Sequence, residues 1–236
     1  IVFPIQCLGC KQEGRWLCND CLKLINISSE STCIFCHEKN LYGQTCDKCK
    51  QQHQLDGVFI ALSYEQDLVK QAIKTLKYRF VKDVSQELSK FLILFLQEKI
   101  KSANFLNLDK NNPPKILLNL TKAIIMPVPL HSRRERWRGF NQAKALALPV
   151  AERFNLTINT QDLQRVRYTT SQAQSSAKDR QTNLKNSFAW QGEDLQSKNI
   201  ILVDDVATTG ATLEECTKAL KQAGAGEVWG LVAAKN

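Results

Sequence analysis

Eight of the nine cysteines in this 236-residue chain lie before residue 50, and all eight form C-x2-C pairs: Cys7/Cys10, Cys18/Cys21, Cys33/Cys36 and Cys46/Cys49. A C-x2-C turn aims two sulfurs at one point, and two such turns complete a tetrahedral shell around zinc. A secreted disulfide framework and redox-active pairs are the rival readings, but neither calls for four identical pairs in succession. The expectation is therefore two structural Zn2+ ions, each held by four cysteines. Pairing neighbours in sequence closes the shortest loops, seven residues between Cys10 and Cys18 and nine between Cys36 and Cys46. His37 and His53 are near enough to substitute as ligands, but with eight thiols at hand they read as solvent-facing. Cys216 stands apart, on a helical face with Leu213 and Leu220, and reads as packing.

A second constellation is IILVDDVATTGAT, residues 200–212. It joins an apolar strand pattern, two carboxylates, a turn of small residues and a helix pattern. Ligands of open α/β sheets bind beyond the carboxyl ends of the strands. From Ala207 through Thr208, Thr209 and Gly210 to Ala211 the side chains are small, so backbone N–H groups can close around a phosphate where the helix begins. Thr208, Thr209 and Thr212 add hydroxyl donors. Asp204 and Asp205 would repel a phosphate; beside a phosphate cradle they suit sugar hydroxyls and a bound Mg2+. Together these residues point to a sugar phosphate. Neither G-x-G-x-x-G nor G-x4-G-K-[ST] is present here, which argues against a dinucleotide site and an ordinary P-loop.

These residues need a scaffold, and the pattern past residue 54 supplies one. Residues 56–64 read as a strand, and 66–80 carry Val69, Ile73, Leu76 and Phe80 at helical spacing. Residues 84–100 read as a second helix, 103–115 as an Asn-rich loop with Pro113-Pro114, 123–128 as a buried strand and 140–154 as a helix. A strand over 199–203, a helix over 211–223 and a strand over 227–234 complete the pattern. Apolar strands followed by helices describe an α/β domain with a largely parallel sheet. The first 50 residues hold few core apolar residues (Trp16, Leu17, Leu22, Ile25, Phe35, Leu41, Tyr42), too few to fold by burial alone, so the metal is expected to fold them. The division expected is a zinc module over 1–54 and an α/β domain over 55–236.

Composition narrows the class. Hydrophobic residues at 43% and charged residues at 23% match an ordinary globular chain and exclude wholesale disorder and collagen. The longest apolar run, Phe91 to Leu96, is far short of the roughly 20 residues a membrane span needs. The N-terminal IVFPIQCLGC lacks the charged and apolar regions of a signal peptide, and the chain reads as cytoplasmic. Formal charge is +9, but eight zinc-bound thiolates would reduce it to about +5, a weak pointer to nucleic acid.

Residues 200–212 closely resemble the phosphoribosyl-diphosphate (PRPP) motif of type I phosphoribosyltransferases, with Ala207 where that family usually has a larger aliphatic residue. MPVPLHSRRERWRGFNQAKALA, residues 126–147, resembles the diagnostic stretch of the ComF family, whose members join a cysteine-rich finger to a phosphoribosyltransferase-like domain. LKYR at 76–79 and the spacing of Gln172, Arg180, Asn183 and Phe188 support the likeness, which covers nearly the whole chain. The resemblance implies a type I phosphoribosyltransferase-like parallel sheet flanked by helices behind a zinc-ribbon-like module, binding PRPP with Mg2+. It also implies a part in DNA uptake, with single-stranded DNA or proteins of the uptake machinery as partners. The alternative is an active phosphoribosyltransferase acting on an unidentified nitrogen base, with no DNA role.

By the same resemblance Asp204 and Asp205 are the catalytic pair, and Ala207, Thr208, Thr209, Gly210, Ala211 and Thr212 hold the 5′-phosphate. Val128, Pro129 and Leu130 approach the pyrophosphate, Val128 and Leu130 through main-chain N–H groups, with Lys77 and Arg138 beside them. Arg133, Arg134 and Arg136 suit a polyanion or a solvated helix entrance equally. Lys70 and Lys74 share a face with Lys77 and read as solvated. The polar stretch 165–183 could close over a ligand or be an ordinary loop, and His131 reads as solvent-facing rather than catalytic.

Overall fold

The computed structural model describes residues 4–79, 81–106, 113–167 and 184–236. The N-terminal segment is built twice over. In the first half a Cys7-x2-Cys10 turn is followed by α1 (Asn19–Lys23), which starts directly after Cys18 and carries Cys21. In the second, the hairpin of β1 (Ser31–Thr32) and β2 (Lys39–Asn40) encloses the Cys33-x2-Cys36 turn, and α2 (Asp47–Lys50) starts directly after Cys46 and carries Cys49. The residue after each turn, Lys11 (φ 67°) or His37 (φ 64°), is left-handed, and its N–H closes the turn onto the carbonyl of Cys7 or Cys33.

The main chain then enters β3 (Gly57–Ser63), α3 (Asp67–Tyr78) and α4 (Val84–Leu106). In α3 the expected stripe is buried at Val69, Ile73 and Leu76, while Lys70 and Lys74 face solvent. Phe80, the last residue of that stripe, lies outside the described residues. The second helix is longer than its sequence pattern suggests: it runs to Leu106, and Ala103, read as loop, is a fully buried helical residue. The short α5 (Lys115–Leu118) precedes β4 (Ile124–Pro127), and α6 (Ser132–Arg138) and α7 (Gln142–Phe154) lead into β5 (Thr157–Ile158). A small antiparallel pair, β6 (Leu163–Arg165) with β7 (Phe188–Trp190), stands apart from the main sheet. The chain ends in β8 (Ile200–Ala207), α8 (Ala211–Gln222) and β9 (Val228–Lys235).

The main sheet has the order β3-β9-β8-β4-β5 with every pairing parallel, as the pattern of apolar strands and helices leads one to expect. Side chains alternate across it. Phe59, Ala61, Ile201, Val203, Leu231 and Ala233 face α3, α4 and α7, whereas Val58, Ile200, Leu202, Val228 and Val232 face α8 and the small hairpin. Strand β8 is longer than residues 199–203. Asp204 pairs with Val232, Val206 with Ala234 and Ala207 with Lys235, so the ladder carries both acids and Ala207 inside the strand. Ala207 is thus the last strand residue rather than the first turn residue.

The cysteine-bearing segment does not close a core of its own. Leu8, Leu17, Ile25 and Tyr42 belong to the cluster centred on Phe59 and Leu62, and Ile34 to the cluster on the opposite face. Of the seven apolar residues expected to serve as its core, Leu41 is instead exposed. Among the described residues no helix is long and apolar enough to cross a membrane.

Candidate functional site: two cysteine tetrads and a cationic cavity

The eight sulfurs gather into Cys7, Cys10, Cys18, Cys21 and Cys33, Cys36, Cys46, Cys49, each set with its ligand atoms within 4.8 Å of one another. The grouping is the sequential one. Cys10 and Cys18 sulfurs are 3.6 Å apart and Cys36 and Cys46 sulfurs 3.5 Å. Four sulfurs about 2.3 Å from one zinc ion stand roughly 3.8 Å apart in a tetrahedron, whereas a disulfide needs about 2.0 Å. Burial pushes the Cys7 thiol up, but N–H groups led by that of Cys18 outweigh it and bring it down to about 6. In the second tetrad burial likewise raises Cys33, yet N–H groups led by that of Cys46 bring it to about 7. Each set therefore offers a ready thiolate, the form that binds metal, and the donor chemistry and spacing fit two Zn2+ ions. Neither histidine belongs to a tetrad. His37 is exposed, with Nδ1 2.7 Å from Lys235 Nζ. His53, read as solvent-facing, is instead half-buried, its ring stacked on Phe35 at 3.5 Å.

The second site lies at the carboxyl end of β8. Asp204 and Asp205 leave the strand into a cavity of about 680 Å³. Asp205 is 2% exposed; one carboxylate oxygen meets Lys77 Nζ at 3.0 Å, and the other, Oδ2, is buried with no hydrogen-bond partner. A buried carboxylate oxygen left open beside a cavity is what a hydroxyl-bearing or cationic ligand would satisfy. Asp204 is half-buried and accepts the N–H of Asp205 at 2.8 Å. Burial first, and Asp205 next, push the Asp204 carboxyl up to about 7, with Lys77 pulling the other way. Burial also works against the Lys77 charge, but the two aspartates outweigh it and hold its pKa above the ordinary lysine value.

The opposite wall comes from the segment after β4. Val128, Pro129 and Leu130 line it, followed by Arg133, Arg134 and Arg138 of α6. The N–H of Val128 is not available to a ligand: it donates to the Val203 carbonyl at 2.8 Å, because the β4–β8 ladder continues one residue past β4. Its own carbonyl accepts from Asn141 Nδ2, and the Asn141 side-chain oxygen caps α7 by accepting from Ala143 and Lys144. Arg138 donates to Gln142 Oε1, while its Nε is buried without a hydrogen-bond partner. Gly139, at φ +80°, ends α6 in the left-handed region and turns the chain into α7. His131 caps the start of α6, its Nδ1 accepting from the Arg133 N–H.

Of the residues expected to bind PRPP, Lys77, Val128, Pro129, Leu130, Arg138, Asp204, Asp205 and Thr212 share this cavity. Ala207, Thr208, Thr209, Gly210 and Ala211 are not among its lining residues but form the turn from the strand end to the first residue of α8. Four lining residues escaped the sequence-based set: Tyr78, Trp137, Gln142 and Val206. Gln142 was legible in the GFNQ stretch. Arg165, the first residue of the stretch read as closing over a ligand or as an ordinary loop, lines the cavity from the end of β6, its guanidinium 5.3 Å from the Phe188 ring. Gln172, Arg180 and Asn183 lie outside the described residues, as does most of the stretch expected to close over a ligand. Cys216 is fully buried beneath the sheet, and burial raises its thiol well above the usual value.

The fold and its strand-end cavity define an α/β protein with a phosphoribosyltransferase-like domain. The phosphoribosyl transferase domain family matches residues 139–234. Competence protein F of Haemophilus influenzae is 32% identical over 98% of this chain and 98% of its own length. The DNA utilization protein YhgH of Escherichia coli is 26% identical over 97% of each chain, and that of Salmonella typhi 41% identical over 44% of this chain and 47% of its own. A purine phosphoribosyltransferase from Pyrococcus horikoshii overlays with a TM-score of 0.33 at 15% identity, over 59% of this chain and 85% of its own, too loosely to carry an argument. The chain belongs to the competence protein F (ComF) family.

Proposed function

We propose that the cavity binds PRPP together with Mg2+ and that the protein takes part in DNA uptake during natural transformation. The observation that carries the first half is Asp205, buried with one oxygen on Lys77 and the other open, at the end of a strand whose next turn opens a helix. In this reading Asp204 and Asp205 accept from the ribose hydroxyls. The backbone from Ala207 to Ala211, with Thr208, Thr209 and Thr212, takes the 5′-phosphate. Lys77 and Arg138, next to Pro129 and Leu130, face the pyrophosphate. Mg2+, when bound with the ligand, neutralises pyrophosphate charge and eases its departure. Residues 1–54 act as the zinc module and 55–236 as the ligand-binding domain, in the cytoplasm.

The second half rests on the names of the relatives, a competence protein and DNA utilization proteins. Single-stranded DNA, or a protein of the uptake machinery, would meet the basic face of α6. Neutralising Arg133, Arg134 and Arg136 together is expected to abolish salt-sensitive DNA binding; binding that ignores both salt and these arginines would leave the protein-partner version.

An active phosphoribosyltransferase without a DNA role is favoured by one observation. Tyr78 and Trp137 are the only exposed aromatic residues among those described, and both line the cavity. They offer stacking surface to a flat nitrogen base. The C1–pyrophosphate bond would break with oxocarbenium character as the base nitrogen attacks C1 and pyrophosphate leaves with the bonding electrons. The chain's part is orientation and charge stabilisation, with no nucleophilic side chain required.

Calorimetric titration with Mg-PRPP tests the binding claim. Wild type should bind, while Asp204→Asn/Asp205→Asn and Thr209→Ala should lose most of the affinity with their circular dichroism unchanged. A folded wild type that does not bind refutes it.

A further inference from the structure

The turn between β8 and α8 has no side chain large enough to pack against itself. What lies behind it is the second cysteine knuckle. A Cβ built on Gly210 would stand 3.1 and 3.2 Å from two carbons of Ile34 and 3.4 Å from the ring of Phe35. Ile34 and Phe35 are the two residues enclosed by Cys33 and Cys36, and Ile34 is 1% exposed. Gly210 sits at φ +75°, in the left-handed region, and glycine has little intrinsic preference for one backbone conformation over another.

Segments next to the knuckle tie both ends of the turn. On the helix side, Glu214 in the first turn of α8 accepts the N–H groups of Gln54 and Leu55 at 3.1–3.2 Å. On the strand side, the carbonyl of Ala207 accepts the N–H of Asn236, and the neighbouring Lys235 reaches His37. The first tetrad is differently placed. Its Gly9 approaches Cys21 and Leu68, next to the start of α3.

We propose that Ile34 and Phe35 are positioning residues for the phosphate turn, so that metal in the Cys33/Cys36/Cys46/Cys49 tetrad, and not in the other, is coupled to anion binding at Thr208–Gly210. The inference rests on the PRPP reading of the turn. With the knuckle closed on its metal, the side chains of Ile34 and Phe35 form a fixed floor under Gly210. With the knuckle open they move away, and the N–H groups of the turn no longer converge on one point. Coupling of this kind is reciprocal: if metal in the tetrad strengthens ligand binding, ligand strengthens metal binding by the same factor.

The test uses the full zinc-loaded chain and two readouts. In the first, zinc release to a chromogenic chelator is followed with and without saturating Mg-PRPP. One of the two ions should leave about tenfold more slowly with ligand present, and the other at an unchanged rate. Ile34→Ala should weaken Mg-PRPP binding about tenfold and abolish the protection, while Ile34→Val keeps both. In the second, amide hydrogen exchange is measured without ligand. Ile34→Ala should speed exchange at residues 208–214 about tenfold relative to the β8–β9 core. Equal protection of both ions, or none despite binding, overturns the coupling. If wild type fails to bind Mg-PRPP, the reading of the turn has failed, and the exchange experiment still decides whether Ile34 holds it. Unchanged exchange in a folded Ile34→Ala overturns the proposal.

Discussion

Replacing Lys77 by methionine removes the ammonium that meets Asp205 at 3.0 Å while keeping most of the side chain's volume. The pair is not a surface pair, since the Lys77 side chain is 23% and that of Asp205 3% exposed. Losing one partner should therefore cost about 3 kcal/mol at high pH, against a few tenths for an exposed pair. The cost should depend on pH through Asp204, whose carboxyl is raised from 3.8 to about 7. A carboxyl raised on folding stabilises fully below its unfolded value, and that contribution is lost as pH rises through about 7. Without Lys77 the folded-state value climbs further, so the variant goes on losing stability above pH 7, at about 1.4 kcal/mol per pH unit, where wild type has levelled off. Urea denaturation of zinc-loaded protein, followed by circular dichroism, should show a deficit about 2 kcal/mol larger at pH 8.5 than at pH 7. The exposed Lys74→Met serves as control. A deficit of the same size at both pH values, or none, would refute the assignment of Lys77 as the charge that holds the carboxylate pair.

Other expectations follow from the same geometry. Gly210→Ala places a side chain at φ +75° against Ile34, and should lower stability by about 1 kcal/mol or more in thermal denaturation while weakening Mg-PRPP binding; an unchanged melting temperature would contradict the packing. Hydroxyl donors favour ionised Asp204, so Mg-PRPP affinity should rise about tenfold between pH 6 and pH 8 with proton release, a trend lost in Asp204→Asn; calorimetry in buffers of different ionisation enthalpy reads both. Chelating both zinc ions should expose apolar surface of the main core, because Leu8, Leu17, Ile25 and Tyr42 belong to it. Dye binding that does not increase on chelation would show that these residues stay packed without metal.

What was legible in the sequence was local. Four C-x2-C pairs identified the tetrads because ligand spacing is a short-range property, and the helical stripe of α3 separated buried Leu76 from solvated Lys70 and Lys74. The acids after Ile200 to Val203 marked the strand end, although the ladder to β9 carries the strand four residues further. What was not legible depends on contacts between distant segments. The stretch from Arg165 could be read as closing over a ligand, but nothing in it says that a strand pairing with β7 carries Arg165 there, and nothing near Val128 says that Val203 takes its N–H. The few apolar residues in the first 50 suggested a segment that burial alone cannot fold and that metal must, whereas the sheet also supplies part of its core. The place of Ile34 behind Gly210, 176 residues away in sequence, likewise appears only once the sheet is assembled.

The most direct measurement is a crystal structure of the zinc-loaded protein soaked or grown with Mg-PRPP. The 5′-phosphate should lie on the turn from Thr208 to Thr212, the ribose hydroxyls on Asp204 and Asp205, and the pyrophosphate between Lys77 and Arg138. Ligand density elsewhere on the molecule, or the phosphate ends reversed in the cavity, would contradict this placement.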